Sequence, residues 1–75
     1  MDDKKMVHQV NQIADYFAAY PKSQAVEGVY GHIRKFWEPR MRTQLINYVD
    51  AGGEDLHPLV IEAVASLKDE LGQAV

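Results

Sequence analysis

The sequence has no cysteine. A disulfide, a thiolate zinc site and a cysteine-ligated iron–sulfur cluster are therefore excluded from this chain. It has no apolar run approaching the roughly 18 residues a membrane span needs. No segment alternates apolar and polar residues with the period of a strand. With no strand there is no strand-borne phosphate loop, and Ser23 and Ser66 stand in no nucleophile-elbow context. The opening residues Met-Asp-Asp-Lys-Lys hold no apolar stretch of the signal-peptide kind, so a cytoplasmic chain is expected.

At 75 residues, a single helical domain over 1–75 is expected. A domain of this size buries only about 60% of the surface its unfolded chain exposes. Its core supplies roughly 3–5 kcal/mol of net stability, and proteins this small usually add a metal, a disulfide or a partner. The net charge is −3, which argues against non-specific nucleic-acid binding. The charge is unevenly placed. Residues 32–49 carry Arg34, Lys35, Arg40 and Arg42 against Glu38, whereas residues 50–75 are strongly acidic. The basic middle is the one place where an anionic partner surface would dock.

Hydrophobic spacing is helical throughout and implies an all-α fold, a small bundle or array of about four short helices. The first is expected over 3–19. Met6, Val10, Ile13 and Phe17 form its inner stripe, with Val7, Ala14 and Ala18 beside it. Asp2 or Asp3 can cap its start, and Tyr20-Pro21 ends it. Ser23 is expected to cap a second helix over 24–37. There Val26, Val29, Tyr30, Ile33, Phe36 and Trp37 span about 120° of one face. Gly28 and Gly31 lie off that stripe, and each costs a helix about 1 kcal/mol relative to Ala. That cost calls for something packing closely where the side chains are missing. Pro39 suits the first turn of a third helix, 39–50, with Met41, Leu45, Tyr48 and Val49 inward and Gly52-Gly53 as the stop. A fourth helix is expected over 58–71. It turns Leu59, Val60, Ala63, Val64, Leu67 and Leu71 inward and Ile61 away, with Gly72 at its end.

The most informative stretch is 32–42. It sets the only tryptophan beside Phe36, a helix-breaking proline and four cations. Trp and Arg are enriched at interface hot spots, and an Arg fork binds carboxylates bidentately. One reading makes it a docking corner. The plainer one puts Phe36 and Trp37 in the core with the cations as a solvated rim. His8, His32 and His57 are far apart in sequence and form no short-spaced ligand pair, so no metal site is expected. No catalytic constellation is visible, so the chain is expected not to be an enzyme. The main rival class is a helix-turn-helix DNA binder using the Arg-rich third helix. The acidic net charge and that helix's apolar face weigh against it. A membrane-surface role lacks a helix both basic and richly apolar.

Two runs add something more specific. Asn11-Gln12-Ile13-Ala14-Asp15-Tyr16-Phe17-Ala18-Ala19-Tyr20-Pro21 and His32-Ile33-Arg34-Lys35-Phe36-Trp37-Glu38-Pro39-Arg40-Met41-Arg42 resemble the two signature segments of the formate dehydrogenase delta-subunit family. Asp50-Ala51-Gly52-Gly53 and Pro58-Leu59-Val60 are similar as well. The family often has an acid just before the latter group. This chain has His57, a poorer cap, so the start of the fourth helix is expected to fray.

The resemblance implies a non-catalytic accessory subunit of a soluble NAD-dependent complex that supports its assembly or stability. By that resemblance the large partner holds a bis-molybdopterin molybdenum or tungsten cofactor and Fe–S clusters and oxidises formate. Other subunits hold FMN and pass electrons to NAD, and this chain holds none of these. The expected partner-binding set is His32, Arg34, Phe36, Trp37, Pro39, Arg40, Met41 and Arg42, with Gly28 and Gly31. A transient assembly chaperone for the large subunit is the alternative. Self-association of the isolated chain is also open.

Overall fold

Asp2 starts the first helix: its side chain accepts a hydrogen bond from the Lys4 N–H at 3.0 Å, satisfying a donor the helix leaves orphaned. The computed structural model describes residues 2–73, and the side chains of 71–73 lie outside that description. Four helices follow in order: α1 (Asp3–Phe17), α2 (Lys22–Phe36), α3 (Pro39–Asp50) and α4 (Pro58–Gln73). The fold is all-α, as the spacing predicts, with no strand among the described residues.

Helix ends differ from expectation where local chemistry competes. α1 stops at Phe17, short of Ala19, with Ala18 as its C-cap. α2 begins at Lys22 with Pro21 as N-cap and no side-chain cap, so Ser23 lies inside the helix and does not cap it. Pro21 has a φ of −53° and an extended ψ of 148°, and its carbonyl accepts the Ala25 N–H at 2.9 Å. α3 begins at Pro39 and ends in a Schellman motif: Gly52 and Gly53, both at positive φ, donate to the Val49 and Tyr48 carbonyls at 3.0 Å. α4 runs through Gly72 to Gln73, and the inward placement expected of Leu71 falls outside the described side chains.

His57 corrects the expectation of a frayed start to α4. Its Nδ1 accepts the Leu59 N–H at 3.1 Å, and its carbonyl accepts the Val60 N–H at 2.9 Å. An imidazole nitrogen thus does the work of a capping carboxylate. The loop before it is held from α1. The Asn11 amide donates to the Asp55 carbonyl and accepts the His57 N–H, both at 2.9 Å. Asp55 is at φ 65°, a conformation Asp tolerates better than most residues. Leu56, between these anchored residues, is buried. Asn11→Ala removes two hydrogen bonds at once and is expected to cost about 1–3 kcal/mol in urea unfolding.

α4 packs against all three other helices, most extensively α2. Its Leu59, Val60, Ala63, Val64 and Leu67 are buried, matching the predicted stripe as far as it is described. The core adds Met6, Val10 and Ala14 from α1, Ala25, Val29 and Ile33 from α2, and Leu45 from α3. Ile13, Phe17, Val26, Tyr30, Met41, Tyr48 and Val49 pack at its edge. Ala18 is exposed. Phe36, expected on the buried stripe, is 73% exposed. The chain leaves α2 in an extended conformation at Trp37, which carries the indole into the core in its place.

Candidate docking interface

Three aromatic rings are exposed: Tyr16 and Tyr20 near the junction of α1 and α2, and Phe36 at the end of α2. Phe17 lies between the tyrosines, edge-on to Tyr16 at 5.0 Å between centroids and tilted against Tyr20 at 6.1 Å. Its ring lies over Gly28, where an added Cβ would come within 2.5 Å of it. Phe17 is therefore the group that packs where that side chain is missing. Gly31, one turn on, is different: nothing lies within 4 Å of where its Cβ would be. Phe36 instead rests against His32, ring centroids 5.0 Å apart.

These residues border two shallow grooves that share Phe17 and His32 as their common wall. One runs along α1 to Trp37, lined by Gln9, Gln12, Ile13 and Tyr16 and by no charged group. The other crosses α2 over Gly28 and Gly31, with Phe36 at one edge and Glu27, Arg34 and Lys35 as its charges.

The predicted site residues separate into two groups. His32, Phe36, Trp37, Gly28 and Gly31 come together at the grooves, with Arg34 at the rim. Pro39 and Arg42 line a separate crevice between α3 and α4. Met41 packs at the core edge. Arg40 is exposed and has no hydrogen-bond or ion-pair partner among the described residues. Phe17, Tyr16 and Tyr20 were not among the predicted site residues. Their signal was the aromatic density at the end of α1, with Tyr16 and Tyr20 off its apolar stripe.

Two of the expected docking cations are used inside the fold. The Arg34 Nε lies 3.0 Å from Glu70 Oε1. The Arg42 guanidinium donates to the Arg34 carbonyl at 2.9 Å, satisfying an acceptor that the last turn of α2 leaves without a helical partner. The Tyr30 hydroxyl donates to the other Glu70 oxygen, so the basic middle is tied to the acidic α4. This hydrogen bond is the main reason the Glu70 carboxyl titrates below its ordinary range, helped by Arg34 and Arg42. The same bond, then burial, then the Glu70 charge push the Tyr30 phenol upward. Burial, with Glu54, Asp55 and Asp3 nearby, also raises the Tyr48 phenol.

These shifts set the pH dependence of the fold. A depressed carboxyl stabilises the fold above its ordinary pKa of 4.5, and that contribution is lost as pH falls through the lowered value. A raised phenol stabilises below its ordinary 10.0, and that contribution is lost as pH rises through the raised value. Thermal unfolding of Tyr30→Phe across pH should show weaker dependence at both extremes, with Tyr48 retaining part of the alkaline limb.

Four helices about a single apolar core, with an aromatic, glycine-bearing face left open, define a small helical protein whose unsatisfied surface is apolar rather than chemical. Among the described residues no group of His, Cys, Asp or Glu is placed to hold a metal ion, and no helix is long and apolar enough to cross a membrane. The family model for the NADH-dependent formate dehydrogenase delta subunit FdsD matches residues 5–64, and the chain belongs to this family. The match spans both runs that carried the resemblance. Comparisons with curated proteins and with solved structures find no match.

Proposed function

We propose that this chain is a non-catalytic subunit that docks on the large catalytic subunit of a cytoplasmic formate dehydrogenase through its α1–α2 face. Family membership supports a place in that complex. One observation carries the choice of face: a Cβ at Gly31 would meet nothing within 4 Å, in a groove that also takes in a Phe36 that is 73% exposed. A glycine here costs α2 about 1 kcal/mol and gives the isolated fold nothing in return. An exposed Phe likewise forgoes burial that its area would reward. Both make sense where a second surface approaches the helix closely.

Arg40, on α3, remains an available cation, while Arg34 and Arg42 contribute mainly by holding α2, α3 and α4 in register. By binding the assembled, cofactor-loaded large subunit preferentially, the chain shifts assembly toward it by mass action. The molybdenum or tungsten centre, Fe–S clusters and FMN belong, on this proposal, to the other subunits; this chain has no thiolate to ligate a cluster.

Affinity capture of the tagged chain from its native extract tests this. The bound fraction should contain the large subunit at equal stoichiometry and reduce NAD in the presence of formate. Capture of only an inactive, cofactor-free large subunit would replace the permanent subunit with a transient assembly chaperone. Absence of any large partner would overturn the proposal.

A further inference from the structure

The exposed face of α2 has a charge pattern that repeats in reverse about Gly31. Glu27 lies four residues before it and Lys35 four residues after it. Both are exposed, and among the described residues neither side chain has an ion-pair or hydrogen-bond partner. At 3.6 residues per turn, Gln24, Gly31 and Lys35 fall within about 40° of one another on this face, with Glu27 at its margin. Gly31 leaves open space at the centre.

An isologous two-fold contact demands a patch that complements itself, so that residue i meets j and j meets i. Two antiparallel α2 helices crossing at Gly31 satisfy that demand. Residue 31 − n of one copy then faces residue 31 + n of the other. Glu27 of each copy meets Lys35 of the other, giving two equivalent ion pairs around a glycine crossing. With no side chain at the crossing, the helices can approach to the short end of the usual range of roughly 8–10 Å. A parallel crossing would set Glu27 against Glu27 and Lys35 against Lys35, which repel.

We propose that, in the isolated chain, this face is covered by the same face of a second copy in an antiparallel two-fold pair. The inference rests on the docking proposal only in one respect: the large subunit must displace the second copy to reach the face. The isolated chain would then hold its Gly31 face occupied until its partner is present.

Sedimentation of the purified full chain over a range of concentrations tests the pairing without the large subunit. The wild type should approach twice the 8.5 kDa chain mass as concentration rises. Glu27→Lys and Lys35→Glu each convert two attractive pairs into two repulsive ones. Each should weaken self-association about ten-fold or more while retaining wild-type helicity by circular dichroism. Mixing the two variants should restore association, because one then supplies only cations and the other only carboxylates. The double exchange Glu27→Lys with Lys35→Glu should also pair. A wild type that stays at the single-chain mass would overturn the inference. So would single variants that pair as tightly as the wild type, or a mixture no tighter than its components. Docking is read separately by co-purification with the large subunit, so either proposal can fail while the other stands.

Discussion

Phe36→Asp is expected to leave the helical circular dichroism spectrum of the chain unchanged and to cut co-purification of the large subunit by roughly 30-fold or more. The first half follows from exposure: a side chain that is 73% exposed contributes little to the core, and substitutions at such positions usually change stability by no more than about 0.5 kcal/mol. The second half follows from the proposed docking. Aromatic anchors at the centre of an interface commonly carry about 2 kcal/mol or more, and 1.4 kcal/mol is ten-fold in affinity. A buried, unpaired carboxylate adds a desolvation cost to the lost contact. The His32 ring also loses its stacking neighbour, so that end of the groove changes shape. Retention of the large subunit by Phe36→Asp at wild-type stoichiometry would remove Phe36 from the interface. Arg42→Glu is a poorer probe, because it also strips the Arg34 carbonyl of its donor and disturbs the α2–α3 corner. Arg40→Glu has no such internal consequence.

Ile33→Ala has the largest expected effect on the chain alone. Ile33 is fully buried on α2 and belongs to the shared core. Truncating a buried Ile costs about 2–5 kcal/mol, through lost transfer energy and an incompletely closed cavity. A core of this size supplies roughly 3–5 kcal/mol in all. The isolated variant should therefore be largely unfolded at 25 °C by circular dichroism. Co-expression with the large subunit should recover part of it, since binding only the folded form shifts the equilibrium. Ile61→Ala, at a position 41% exposed on the far side of α4, should change stability by no more than about 0.5 kcal/mol. A folded Ile33→Ala chain would mean the core has more to spare than its size implies.

Much of this architecture is legible because amphipathic periodicity is a local property. The inward stripe of α4 and the Pro39 start of α3 can be read from spacing alone, and the structure agrees with both. What could not be read depends on three-dimensional neighbours. Phe36 shares the periodicity of the buried stripe, but α2 ends there, and the extended backbone at Trp37 decides which of two adjacent rings enters the core. Ser23 has the chemistry of a cap, but α2 starts one residue before it, with Pro21 in the N-cap position and no side-chain cap. His57 caps through a ring nitrogen while Asn11 of α1 holds its backbone, a contact across 46 positions that no local pattern announces.

The candidate site was legible to a similar degree. The two glycines stood out as costs to α2, yet the sequence could not show that Phe17 fills the space at Gly28 while Gly31 stays open. Nor could it show that Glu70 takes up Arg34 and Tyr30, or that the Arg34 carbonyl takes up Arg42.

The open space at Gly31 offers the most direct test of the docking face. Gly31→Leu replaces a poor helix former with a good one, and its Cβ meets nothing within 4 Å, so α2 should gain up to about 1 kcal/mol. Thermal unfolding of the free variant and capture of the large subunit with formate-dependent NAD reduction would be measured on the same preparation. The account predicts an equal or higher melting temperature together with loss of the large subunit and its activity from the bound fraction. A Gly31→Leu chain that still captures the active large subunit at wild-type stoichiometry would contradict it.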